Sequence, residues 1–184
     1  NGFRIDLHCH SHFSDGALRP ELLFQKASAA GLRVLALTDR DTTDGLLPLQ
    51  CAAKNSDITI INGIELSARW KKHDIHILGL QIRPSDPNLK ALIIRQNESR
   101  IARAKEFGER LKGCGVTDAY VKACNIAGHE RVARPHYAQV LIDAGLVPDM
   151  KAAFKRYLGR GRGAYVPTAW LSIEEAVEGI VDKR

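Results

Sequence analysis

Apolar and polar positions divide the chain into two stretches of different rhythm. Up to residue 82, short apolar runs alternate with segments of helical spacing. FRIDLHCH (3–10), RVLALTD (33–39), DITIINGIELSA (57–68) and DIHILGLQI (74–82) read as strands, rich in β-branched and apolar residues. RPELLFQKASAAG (19–31) reads as a helix with Pro20 near its start and Gly31 as its stop. DGLLPLQCAAKN (44–55) is helical at least from Leu49, with Pro48 in the first turn. Strand and helix in alternation predict parallel pairing and an α/β fold. Runs without strict alternation predict strands covered on both faces.

After RPSDPN (83–88) the strand signals stop. Residues 88–115 form one long helical pattern, with Ile93, Ile101, Ala104 and Leu111 at roughly helical spacing and Gly113 and Gly115 ending it. VTDAYVKACNIAG (116–128), RPHYAQVLIDAG (134–145) and DMKAAFKRYLG (149–159) predict three further helices. GRGRGAYVP (159–167) is a Gly/Arg loop. SIEEAVEGIVDKR (172–184) is a last helix with Ser172 and Glu175 in capping-box spacing.

At 184 residues, 45% hydrophobic and 26% charged, the composition is that of a soluble globular protein. There is no apolar run long enough to span a membrane, and the start carries no basic or apolar leader, so a cytoplasmic protein without a membrane partner is expected. Four scattered cysteines suit a reducing compartment. The net charge of +6 favours anionic partners, weakly. No GxxxxGK[ST] and no GxSxG occurs, so a P-loop and a nucleophile elbow are excluded.

The chemistry gathers where strands end. His8 and His10 are two apart at a strand end, so both imidazoles face one way and Cys9 the other. Two imidazoles so spaced can grip one divalent ion. Asp6 and Asp15 flank them, and His12 follows in the loop, where it can reach a substrate. Glu65 sits between Ile64 and Leu66, where an unpaired carboxylate is costly. His76 lies between Ile75 and Ile77; by itself it reads as a core histidine. His8, His10, Asp15, Glu65 and His76 all fall in or just after expected parallel strands, whose carboxyl ends collect active sites, and five such groups point to a multinuclear metal site. Asp39, Asp41 and Asp44 crowd one loop and suggest a metal or phosphate site, with Arg40 an odd presence among them. Arg131, Arg134, Arg160 and Arg162 can hold an anion or simply face solvent.

DLHCHSHFSDG, ALTDRDT, GIELSA and HILGL together resemble the N-terminal motifs of the PHP (polymerase and histidinol phosphatase) family. ARPHYAQVLIDAG and AFKRYLGRGRGAYVP are similar to the branch of 3′,5′-nucleoside bisphosphate phosphatases and 5′–3′ exoribonucleases. The resemblance implies a distorted (β/α)7 PHP-type barrel, incomplete at the C-terminus of this chain because two later motifs, an AHP-type histidine and an Asp-x-His, are absent. Residues 1–84 would be the N-terminal part of the barrel, 85–167 an all-helical insertion, and 168–184 a return helix into the barrel. It also implies two or three divalent ions, manganese first and zinc, iron or magnesium otherwise, held by His8, His10, Asp15, Glu65 and His76, with Glu65 bridging. Asp15, Arg40 and Glu65 would be catalytic, and His12, Arg134, His136 and Arg160 would bind substrate.

The implied activity is phosphoester hydrolysis on a phosphorylated nucleotide or short RNA by a metal-activated water, in a monomer. Histidinol-phosphate-type phosphatase action and a metal-poor binding module are the rivals. The family carries histidine where this chain has Arg40. Guanidinium stays protonated and offers no lone pair, so Arg40 cannot ligate a metal. Its charge would stand in part for that of a lost third ion, pairing with Asp15 or reaching the substrate phosphate. The alternative is an arginine facing solvent, paired with Asp39 or Asp41.

Overall fold

The structure is a computed structural model and describes residues 3–181. Asn1, Gly2 and the end expected of the last helix, 182–184, lie outside the described residues.

Among the described residues, five strands and seven helices follow in the order β1 (Arg4–Cys9), α1 (Pro20–Ala29), β2 (Leu32–Leu37), α2 (Leu46–Ala52), β3 (Thr59–Trp70), β4 (His73–Leu80), α3 (Pro87–Lys112), α4 (Ala119–Ala127), α5 (Arg134–Asp143), α6 (Met150–Ala153), β5 (Leu171–Ser172) and α7 (Ile173–Ile180). A π-turn, Phe154–Leu158, continues α6. The described residues fall into two compact units. One runs up to Gln96 and resumes at Trp170; the other is Asn97–Ala169.

The first unit is an α/β layer. Its sheet runs β1-β2-β3-β4, with β5 also on β3. β1, β2 and β3 are parallel, as strand–helix alternation requires. β4 is not: it returns antiparallel against β3, pairing Trp70 with His73 across the tight turn Lys71–Lys72. His76 therefore does not lie on a parallel strand; the hairpin brings it back along β3 until it stands opposite Ser67, two residues from Glu65. Nor are all strands covered on both faces, since Ile5 and Leu7 of edge strand β1 and Leu78 and Leu80 of β4 are exposed. The covered face is apolar: Leu35, Leu37, Ile64, Leu66 and Ala68 pack with Ala27, Leu46, Leu49, Leu89 and Ala176 from helices. Each fully buried leucine there contributes about 2 kcal/mol. Closure of the sheet into a barrel is not seen among the described residues.

Helix α2 begins at Leu46, so that Pro48 falls within its first turn, as expected, and breaks no hydrogen bond. α7 opens on the expected capping box, with the Ser172 side chain accepting from Glu175 N–H and the Glu175 carboxylate accepting from Ser172 N–H. The second unit is all helix around Phe107, Leu111, Tyr137, Leu141, Leu158 and Val166. The Tyr137 hydroxyl donates to the Ala104 carbonyl, so its burial leaves no unpaired donor. None of the described helices is long and apolar enough to cross a membrane.

Candidate metal centre

At the carboxyl end of β1 the chain turns sharply. Gly16 N–H and Ser14 N–H both donate to the Ser11 carbonyl, at 2.9 and 3.1 Å. A side chain on Gly16 would collide with the His10 carbonyl, so only glycine closes this loop. The loop is tied down by Asp39, which is 2% exposed. Its Oδ1 accepts from Ser11 N–H and Ser14 Oγ–H, both at 2.7 Å, and its Oδ2 from Ser11 Oγ–H at 2.6 Å. A methyl group on Gly45 would come within 2.7 Å of Asp39 Oδ2, so α2 must start on glycine for the carboxylate to fit.

Asp41 is fully buried and ties the loop after β2 to β3 and α3. Its Oδ1 accepts from Ser67 N–H at 2.9 Å and from the Gln96 amide at 3.1 Å. That amide also donates to the Ser67 carbonyl, and Gln96 Oε1 accepts from Leu171 N–H. Two of the three carboxylates that suggested a metal or phosphate loop are thus consumed by backbone, hydroxyl and amide donors. A short strand-end loop has no helix or ladder to satisfy its neighbours' N–H groups, and Asp is the side chain that reaches them. Asp44 is exposed.

Arg40, between the two buried aspartates, projects the other way. Its Nη1 lies 2.9 Å from Asp15 Oδ2 and its Nε 3.2 Å from Glu65 Oε2. The paired residues are therefore Asp15 and Glu65, and the expected alternatives Asp39 and Asp41 are taken. The backbone fixes this geometry: Asp41 N–H donates to the Glu65 carbonyl and Glu65 N–H to the Asp39 carbonyl, a bridge between Arg40 and Glu65.

Glu65 is the centre of the cluster and is 4% exposed. His8 Nε2 stands 3.6 Å from its Oε1, His10 Nε2 3.4 Å from its Oε2, and His76 Nδ1 3.7 Å from its Oε1. These separations exceed an ordinary N–H···O hydrogen bond of about 2.7–3.2 Å. They match the spacing of about 3.4 Å between neighbouring ligands of a tetrahedral ion with bonds of about 2.1 Å. Among the described residues, His8, His10 and Glu65 are the group whose ligating atoms all lie within 4.8 Å of one another. His10 Nδ1 is buried and without a partner. Two imidazoles and a carboxylate of this kind fit Mn, Fe or Zn. His76 meets the cluster at Glu65, and Asp15 reaches it through Arg40.

Other expected site residues stand elsewhere. His12 packs against Phe13 at a ring distance of 4.3 Å, and no hydrogen bond or ion pair links it to Glu65. Arg134, His136 and Arg160 belong to the helical unit. His136 Nδ1 accepts from Ala133 N–H at 2.9 Å and so caps α5, while Arg134 lies over the Phe154 ring at 5.3 Å. Cys9 faces away from the histidines, with Sγ donating to the Ala36 carbonyl. Burial, together with Asp6 and Asp39, pushes its thiol up to about 12, so it is no nucleophile. Asp39, Asp41 and Gln96 had no sequence signal as positioning groups; a polar residue at the last position of an apolar strand was the only available hint.

A family model described as the PHP domain matches residues 6–178. The chain is 43% identical over 177 residues to a 5′-3′ exoribonuclease of Haemophilus influenzae, covering 96% of this chain and 64% of that protein. It is 40% identical over 178 residues to a 3′,5′-nucleoside bisphosphate phosphatase of Chromobacterium violaceum, covering 96% and 62%. Among solved structures it is similar to an amidohydrolase from Chromobacterium violaceum with bound sulfate and no metal, with TM-score 0.86 and 40% identity over 96% of this chain and 62% of that one. The chain spans less than two thirds of the length of these relatives.

Proposed function

The chain belongs to the PHP domain family, and from that premise we propose that it is a metal-dependent phosphoesterase acting on 3′,5′-nucleoside bisphosphates or the 5′ ends of short RNA. The observation that carries the reading is the buried Glu65 carboxylate with His8 and His10 spaced around it as ligands rather than as hydrogen-bond donors. In this proposal His8, His10 and Glu65 hold a divalent ion, His76 and Asp15 border it, and Mn is the first choice before Zn, Fe or Mg. A bound ion there lowers the pKa of a coordinated water and neutralises phosphoryl charge.

The chain's own residues do the rest. Glu65 sets the negative charge of the site. Arg40 supplies a fixed cation between Asp15 and Glu65, occupying the place of one ion, so that two ions and not three complete the site. Its guanidinium can also donate to a phosphoryl oxygen as charge develops. His12, Arg134, His136 and Arg160 are proposed to hold the rest of the nucleotide. Residues 1–84 and 168–184 as parts of one barrel, with 85–167 inserted, belong to the same proposal, as does a cytoplasmic monomer.

The test is release of phosphate from a 3′,5′-bisphosphonucleotide, of mononucleotide from a 5′-phosphorylated RNA oligomer and of phosphate from histidinol phosphate, with added Mn and with chelator. Metal-stimulated release from either of the first two is expected. Release from histidinol phosphate alone would make the protein a small-molecule phosphatase. The Arg40 ion pairs favour one other reading, a metal-poor binding module, because one fixed cation already offsets part of the charge of Asp15 and Glu65. Absence of metal-stimulated release from all three substrates would rule out both enzyme readings.

A further inference from the structure

The end of the helical unit carries a row of cations that, Arg160 apart, the proposed chemistry does not use. From Met150 to Ser172 the sequence holds Lys151, Lys155, Arg156, Arg160 and Arg162 and no acidic residue. Ala153 and Leu158 are fully buried, and Phe154 and Tyr157 pack on the helical core, which leaves Lys151, Lys155 and Arg156 facing solvent. The π-turn over Phe154–Leu158 is a form that recurs at functional sites.

The Gly/Arg loop that follows is ordered by its own backbone. Gly159 N–H donates to the Phe154 carbonyl at 2.8 Å, Arg162 N–H to Gly159 at 3.0 Å, Ala164 N–H to Tyr157 at 3.2 Å and Tyr165 N–H to Arg162 at 3.0 Å. Two arginines of α3 hold its exit, Arg103 on the Val166 carbonyl and Arg110 on the Tyr165 carbonyl. Those two guanidinia have structural work. Four other cations have none: among the described residues, Lys151, Lys155, Arg156 and Arg162 are exposed and make no ion pair or side-chain hydrogen bond.

We propose that this face of the helical unit binds the phosphodiester backbone of single-stranded RNA. A run of unpaired cations on an ordered scaffold suits a polymer of regularly spaced phosphates. A lipid surface fits less well, because membrane-lying helices set large apolar side chains beside their cations. In this segment Phe154, Tyr157 and Leu158 turn inward, and Met150 is the one large apolar side chain left exposed. The inference deepens the phosphoesterase reading, on which its use in the cell rests, by favouring RNA over a mononucleotide.

The test is equilibrium binding of a fluorescent 12-nucleotide RNA in chelator, which needs no metal and no turnover. Replacing Lys151, Lys155, Arg156 and Arg162 together by Gln should weaken binding by more than about tenfold and reduce the slope of log affinity against log salt by about three. A control variant with Lys26, Lys54, Lys72 and Lys90→Gln, which removes the same charge from the sheet unit, should bind nearly as the parent does. With Mn present, release from a 3′,5′-bisphosphonucleotide should be unchanged in the first variant if the phosphoesterase reading holds; failure of that activity in the parent leaves the binding result standing. Equal weakening by both variants, unchanged RNA binding in the first, or loss of binding only to phosphatidylserine vesicles would each overturn the proposal.

Discussion

The helical unit and the sheet unit bury different kinds of side chain. Around Phe107, Leu111 and Leu141 the helical interior is apolar; Thr168 is its one buried polar residue besides the paired Tyr137 among the described residues, and Asn97, Tyr120 and His129 add single buried polar atoms. The sheet unit buries Ser11 in the loop after β1, Thr38, Asp39, Asp41 and Thr42 after β2, Glu65 and Ser67 within β3, and Gln96 within α3. Buried polar groups stabilise little and cost much when left unpaired. Their concentration in one place indicates that the sheet unit gives up apolar packing to hold a charged cluster in fixed geometry. The helical unit, free of that demand, packs as an ordinary core and turns its charge outward.

The comparison breaks most sharply at Glu65. Glu65→Gln should cut metal-stimulated phosphate release by at least about 10²–10³-fold and abolish divalent-ion binding at His8 and His10, read by metal analysis of the purified protein. The fold should survive, because the change keeps the side chain's volume. The opposite outcome is expected of Leu141→Ala in the helical core. It should cost about 2–5 kcal/mol in urea unfolding while leaving the metal content of folded protein unchanged.

Between these lies Asp39→Asn. An amide cannot accept all three donors of Ser11 and Ser14, so stability should fall by about 1.5–3 kcal/mol. Because the same loop carries His10, metal affinity should fall about 10–100-fold. Stability loss with unchanged metal affinity would mean that Asp39 serves the fold alone. Smallest of all, Ser172→Ala removes one half of the α7 capping box and should cost about 1 kcal/mol. The Ser172 backbone and Arg95 hold the Glu175 carboxyl below its usual range. Its share of stability is therefore present above the ordinary carboxylate pKa and is lost as pH falls through the lowered one. Glu175→Gln should flatten that acid limb of the unfolding curve.

What could be read without coordinates follows the same division. His8 and His10 declared themselves because a period of two on a strand puts both on one face, and Glu65 because a carboxylate amid Ile64 and Leu66 must have partners. The helices of the second unit were legible from their spacing and their Gly and Pro punctuation. The reversal of β4 was not, since the turn at Lys71–Lys72 has none of the Gly, Asn or Asp that advertise a hairpin, although Lys71 adopts a positive φ of 53°. Asp39 and Asp41 misled for a related reason. A carboxylate that satisfies buried N–H groups and one that binds a cation look alike in sequence, and only their partners tell them apart. The two-residue β5 and the π-turn after α6 are too short to leave a periodic signal.

Arg40 is where the two uses of charge meet, and the central claim is that its guanidinium occupies the place of an ion between Asp15 and Glu65. The direct measurement is the number of divalent ions bound per chain, by mass spectrometric metal analysis after equilibration with Mn, in the parent and in Arg40→His. The account predicts one more ion in the histidine variant, with the parent's ions retained. Equal counts in the two proteins would contradict it.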